Sequence, residues 1–138
     1  MNTINATADP IDAFLASRAF AVAGASSRRH KYGNKVLRAY QQNGLVAIPV
    51  NPREQSIEGV QCVASVLDLP PEVSSISVIT PPAITERIVD QAIRKGIANV
   101  WMQPGAESDA AVAACRQAGI NVIADGSCVL VVLRYRER

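Results

Sequence analysis

Five short apolar runs, each halted by glycine, proline or a polar loop, limit the fold more than any other feature of the chain. They are FAVAG (Phe20 to Gly24), LVAIPV (Leu45 to Val50), SISVIT (Ser75 to Thr80), NVWM (Asn99 to Met102) and INVIA (Ile120 to Ala124). Continuous apolar character predicts strands buried on both faces, as in a parallel sheet. Helical patterns lie between them. Asn34 to Asn43 sets Val36, Leu37 and Tyr40 on one face, with Gly44 placed to end it. The next places Ile84, Ile88 and Ala92 along one face, with Arg94 and Lys95 in its last turn and Gly96 beyond. A third, capped by Ser108, carries Val112 and Cys115 and stops at Gly119. A short first helix starts at Asp9-Pro10 and ends near Arg18. VLVVL (Val129 to Leu133) reads as a short edge strand, and Val63, Val66 and Leu67 as a helical turn covering the sheet. The expected fold class is α/β: a doubly wound, mainly parallel sheet of about five or six strands with helices on both faces.

The 138 residues, 49% of them hydrophobic, suffice for one core, so a single domain spanning 1–138 is expected, with residues 1–8 disordered. A formal net charge of +2 gives no case for nucleic acid. Basic residues gather at Arg28 to Lys31 and in the tail Arg134 to Arg138, the latter read as a solvated end. Cys62, Cys115 and Cys128 form no CxxC pair, and one histidine cannot complete a Cys/His zinc site, so no metal is expected. Reduced thiols fit a cytoplasmic protein. The N-terminus shows no signal-peptide pattern, and no apolar run approaches the ~20 residues of a membrane span.

In such a sheet ligands bind outside the carboxyl ends of the strands, where the strand order reverses. The loops meeting that condition are Gly24 to Gly33, Asn51 to Arg53, Thr80 to Pro82, Gln103 to Gly105 and Asp125 to Cys128. The first departs from the dinucleotide fingerprint G-x-G-x-x-G: from Gly24 it reads G-A-S-S-R-R, with Ser26 and Arg29 in place of the second and third glycines. Helix-start amides at Gly33-Asn34 can still hold a phosphate. Ser26 and Ser27 add hydroxyls, and Arg28, Arg29 and Lys31 add charge. Strand two ends V-N-P-R, without the carboxylate expected there for NAD, and Arg53 suits a phosphorylated ribose instead. Both NADP and coenzyme A carry one.

Four stretches together carry a family resemblance: V-A-G-A-S (Val22 to Ser26), K-Y-G-N-K-V (Lys31 to Val36), I-P-V-N-P-R (Ile48 to Arg53) and V-W-M-Q-P-G (Val100 to Gly105). The chain resembles the small bacterial coenzyme A-binding proteins, single Rossmann-like domains similar to the N-terminal domain of the succinyl-CoA synthetase α subunit. The resemblance runs from about Phe20 to Val132. It implies coenzyme A, or an acyl-CoA, lying across the carboxyl edge of the sheet. Gly24, Ala25, Ser26, Ser27, Arg28, Lys31, Tyr32 and Gly33 would surround the phosphates. Asn51, Pro52 and Arg53 would flank the adenosine and its 3′-phosphate, Thr80 and Pro81 the adenine, and Met102, Gln103 and Gly105 the pantetheine arm. Relatives often show an Asp-Arg-Cys-like stretch after strand five, where this chain has D-G-S-C at Asp125 to Cys128.

No catalytic residues are assigned. His30 sits in the phosphate loop without an evident serine partner, and no G-x-S-x-G elbow occurs. Cys128 is the one thiol near the ligand edge and is read as a small hydrophobe. The expectation is a binding, carrier or regulatory module acting with an unidentified protein partner, as a monomer or homodimer. An NADP-dependent oxidoreductase is the alternative from another class, although Lys31 and Tyr32 are adjacent rather than spaced along a helix. A pure interaction module with a vestigial pocket is the third. Trp101 is read as core unless strand four lies at an edge.

Overall fold

The computed structural model describes residues 9–138; the expected disorder of residues 1–8 lies outside them. The chain runs α1 (Pro10–Leu15), β1 (Ala19–Ala23), α2 (Tyr32–Gln42), β2 (Ala47–Val50), β3 (Ser56–Ile57), β4 (Val60–Gln61), a 3₁₀ turn (Val66–Asp68), β5 (Val73–Val78), α3 (Pro82–Lys95), β6 (Asn99–Met102), α4 (Asp109–Gln117), β7 (Asn121–Ile123) and α5 (Val129–Val132). β1, β2, β5, β6 and β7 form one sheet in the order β2-β1-β5-β6-β7. All of its pairings are parallel. The strand order reverses at β1: the chain leaves it for β2 on one side and returns to β5 on the other.

Strand alternation sorts side chains between two layers. Phe20 and Val22 of β1 join Phe14 of α1, Val36, Leu37 and Tyr40 of α2, Trp101 of β6 and Val129 of α5 on one face. Ala21 and Ala23 join Val78, Val100 and Met102 against Val89 and Ala92 of α3 and Ala111 and Cys115 of α4 on the other. Phe14 meets Trp101 edge-on at 5.2 Å and Phe20 stacks on Tyr40 at 4.9 Å. Burial pushes the Tyr40 phenol well above its usual range, against the lowering effect of its 2.6 Å hydrogen bond with Ser77. Trp101 is fully buried on an internal strand, so it belongs to the core.

Two expectations need correction. Val129 to Leu133 is no edge strand: its first four residues form α5, whose first N–H is capped by the Gln103 side-chain carbonyl at 2.7 Å. Val129 and Leu133 are then buried beside α2, with Leu130 partly so, a helical spacing that outweighs the β-propensity of the run. The basic tail is solvated as expected, with Arg134, Arg136 and Arg138 exposed, and it is also tied to α2. Gln42 and Arg136 exchange hydrogen bonds at 2.7 and 2.9 Å, and Glu137 pairs with Lys35 and Arg38 at 3.4 Å. Finally, the stretch after β2 begins with an antiparallel hairpin, β3–β4, that the apolar pattern did not show. Glu58 and Gly59 form its turn at φ of 49° and 79°, the left-handed pair a two-residue hairpin demands. Of the predicted helical turn, Val66 and Leu67 fall in the 3₁₀ segment, whereas Val63 bridges to Val50.

Candidate functional site

The site lies at the carboxyl end of β1, where the strand order reverses, and its shape begins with two glycines. Gly24 leaves β1 at φ 93°, and a Cβ there would collide with the Ile79 carbonyl oxygen. A Cβ at Gly33 would collide with the carbonyl oxygen of Gly24 itself. The close helix–strand packing that the third glycine of a dinucleotide fingerprint serves is therefore supplied by Gly33, beyond a longer loop. That loop is organised internally: the Arg28 amide donates to the Ser26 hydroxyl at 3.1 Å, and the Lys31 amide to the Arg28 carbonyl at 3.1 Å. α2 then starts with no acidic residue in its first turn and no side-chain cap, leaving its amide end open toward an anion.

Two buried polar residues that the sequence reading did not single out hold this loop. Asn34 donates to the Ser26 carbonyl at 2.9 Å and accepts from Arg38 Nε at 2.6 Å. Arg38, only 4% exposed, reaches the Arg29 carbonyl at 2.7 Å. Their signal was an Asn and an Arg one helical turn apart on the helix that carries Val36, Leu37 and Tyr40. Arg29 itself is diverted from the ligand rim, its guanidinium paired with Glu58 on the hairpin at 3.4 Å. Arg28, Lys31 and Arg53 make no ion pair with a described residue.

The second loop is tied to the first. Asn51 donates to the Ala25 carbonyl at 2.9 Å, and its own side-chain oxygen accepts the amides of Arg53 and Glu54 at 2.7 and 3.0 Å. Pro52 and Arg53 are exposed on this turn. The Ser27 hydroxyl bonds the Glu54 carboxylate across the gap.

Three cavities run along the rim and share walls. The middle one, about 570 Å³, is lined by Gly24, Ala25, Ser26, His30, Lys31, Tyr32, Gly33, Asn51 and Ile79. Asn51 also lines an outer cavity of about 720 Å³ that holds Pro52, Arg53, Glu54 and Cys62. Tyr32 and Ile79 also line a small, mainly apolar one of about 180 Å³ with Gln103, Pro104 and Cys128. Gln103 is buried there, donating to Cys128 Sγ at 3.3 Å while it caps α5. The Trp101 indole holds the Ser127 carbonyl at 2.9 Å, so core packing sets the position of this fifth loop.

Other expected site residues stand farther back. The Met102 side chain is completely buried among α3 and α4, because it shares the strand parity of Val100, and so cannot face a pantetheine arm. Thr80 lies beside Gly24 but spends its hydroxyl on Thr85 at 2.8 Å. Pro81 is exposed at the start of α3. The Gly105 amide is taken by Glu107 at 2.8 Å. Ser27 and Arg28 are exposed and are not among the residues lining the middle cavity. A separate groove of about 720 Å³ along the outer edge of β7 is walled by Asp9, Glu107, Asp109 and Asp125 against Arg116 alone, the wrong charge for a phosphate. Hydrogen bonds from Ser127 hold the Asp125 carboxyl below its usual range. No cluster of metal-ligating side chains occurs among the described residues, and none of their helices is long and apolar enough to cross a membrane.

A parallel sheet with helices on both faces and a glycine-bounded first loop at its switch point defines a Rossmann-like α/β protein. More narrowly, the chain belongs to the CoA binding domain family, whose model matches residues 18–134. The α subunit of an ADP-forming acetate–CoA ligase II from Pyrococcus furiosus is 33% identical over 93 residues, covering 65% of this chain and 20% of the subunit. The chain spans between 11% and 20% of the length of the acetate–CoA ligases it matches. The uncharacterized protein YneT of Bacillus subtilis is 26% identical and comparable in size, with 79% of this chain and 81% of YneT aligned. Among solved structures, a conserved hypothetical protein from Pyrococcus furiosus superposes with a TM-score of 0.80 at 36% identity, covering 83% of this chain and 98% of that one. A hypothetical protein from Pyrococcus horikoshii reaches 0.84 at 27% identity, covering 95% and 93%.

Proposed function

We propose that this protein binds coenzyme A or an acyl-CoA along the carboxyl edge of its sheet, as a binding, carrier or regulatory module without chemistry of its own. The observation that carries the proposal is the row of three cavities with shared wall residues, whose linings change character in the order of the ligand's parts. The outer cavity, with Asn51, Pro52 and Arg53, takes the adenosine and its 3′-phosphate. The middle one takes the diphosphate between Gly24, Ala25 and Ser26 and the start of α2 at Tyr32 and Gly33, with Arg28 and Lys31 as counter-charges and Ser27 at its margin. The small apolar one takes the pantetheine arm against Tyr32, Ile79 and Gln103. Thr80, Pro81 and Gly105 border the ligand from behind, and Met102 contributes only through its backbone. Membership of a CoA binding domain family, and a stretch shared with ADP-forming acetate–CoA ligases, support the choice of ligand. The same reading takes the protein as cytoplasmic and working with a protein partner, as monomer or homodimer.

A thermal-shift panel with coenzyme A, 3′-dephospho-coenzyme A, acetyl-CoA, NAD and NADP tests this. A ligand at ~100 times its dissociation constant stabilises a fold by about 2.7 kcal/mol. Coenzyme A and acetyl-CoA are expected to raise the transition, and loss of the 3′-phosphate to weaken the effect. A larger shift with NADP, or none with any member, overturns the proposal. Arg53→Ala is expected to reduce the preference for coenzyme A over its dephospho form by roughly fivefold, the scale of one solvent-facing charge contact.

A further inference from the structure

The end of β2 presents two consecutive side chains of opposite charge to one cavity, Arg53 and Glu54. The backbone that carries them is held as one turn, since the Asn51 side chain accepts both of their amides. A carboxylate thus stands where a Rossmann-like sheet addresses a ribose, one residue beyond the V-N-P-R stretch in which it was sought. It is available to a ligand. One oxygen takes the neutral Ser27 hydroxyl, and neither forms an ion pair with a described residue. The charge is felt within the cavity: after burial, it is the second cause that pushes the Cys62 thiol up.

We propose that Glu54 is a specificity-determining residue of this site, accepting the free ribose hydroxyl of the ligand and excluding phosphate from that position. In this assignment, which rests on the coenzyme A proposal above, Arg53 and Glu54 form a two-part reader of the ribose. A ribose with both hydroxyls free satisfies Glu54 and leaves Arg53 idle. One phosphorylated at the 2′ position drives a dianion against the Glu54 carboxylate, and like charges brought together across an interface cost several kcal/mol. A ribose phosphorylated at 3′ alone serves both residues, with its 2′-hydroxyl donating to Glu54 and its phosphate facing Arg53. Discrimination between the two phosphate isomers is then built mainly from repulsion of the wrong one, added to the contacts made by the right one.

The test is calorimetric titration of the purified chain with coenzyme A and with its isomer bearing the phosphate on the ribose 2′-oxygen. The wild type is expected to favour coenzyme A by about thirtyfold or more, as one like-charge contact requires. Glu54→Gln should bring the ratio to within about threefold, chiefly by strengthening binding of the isomer. Glu54→Ala, which removes the acceptor altogether, must relax the ratio in the same direction and keeps the test decisive if the first variant fails to fold. Tight binding of coenzyme A with the ratio unchanged in both variants overturns the role of Glu54 and leaves the coenzyme A proposal standing. Equal binding of the isomers by the wild type has the same consequence. Failure of the wild type to bind either isomer removes that proposal, and this role with it.

Discussion

At Gly33 no side chain fits, because the Gly24 carbonyl oxygen occupies the place of a Cβ. Gly33→Ala must therefore push α2 away from β1, and overpacking of this kind costs about 1–3 kcal/mol. Urea denaturation should show that loss, and coenzyme A should no longer raise the transition, since the displaced amides are those assigned to its diphosphate. The role of Gly33 was only partly legible in the sequence. A fingerprint counted from Gly24 puts Arg29 in the packing position, and the turn from Arg28 to Lys31 that lengthens the loop has no strong residue signature. Met102 is the opposite case. Its burial could have been read from NVWM, because alternation puts it on the face of Val100 and Trp101 on the other.

Among the elements, α2 does two jobs with one set of positions. Val36, Leu37 and Tyr40 pack on the sheet, while Asn34 and Arg38 on the same helix brace the loop that precedes it. Arg38→Met keeps an unbranched apolar stem but leaves the Arg29 carbonyl and the Asn34 side-chain oxygen without their donors. Unsatisfied buried acceptors cost about 1–3 kcal/mol each. Chemical denaturation should report a loss of at least about 2 kcal/mol, the low end for two such acceptors, and the bracing role further requires that coenzyme A binding weaken while the cavity residues are untouched. The core strands and the helices α1 to α4 were readable from periodicity and caps. α5 and the β3–β4 hairpin were not. α5 depends on Gln103, distant in sequence, for its cap, and the hairpin turns on Glu-Gly rather than the Asn-Gly or Asp-Gly that would have announced it.

For the whole molecule, burial of its thiols ties stability to alkaline pH. The Cys115 thiol lies in the α3–α4 layer, and burial pushes it up from 9.0 to about 11. The folded chain therefore keeps a proton that the unfolded chain releases first. Stability from this group is fully present below pH 9.0 and falls as pH rises toward about 11. Burial and the Glu54 charge move Cys62 in the same direction. Urea midpoints at pH 8 and at about pH 10.5 should differ in that sense, and Cys115→Ala should flatten the dependence even if it lowers both midpoints. A rise in stability over that interval would contradict the buried placement of Cys115.

The place of β1 between β2 and β5 also bears on how the molecule comes into being. Its neighbours β2 and β5 reach it across very different lengths of chain, and the wall opposite Gly24 is the backbone of Ile79. A nascent polypeptide that has emerged only through β2 has its basic loop but nothing for that loop to close against. The wall opposite Gly24 is present only once β5 has paired with β1, so the cradle is a product of that one long-range pairing and not of the loop alone.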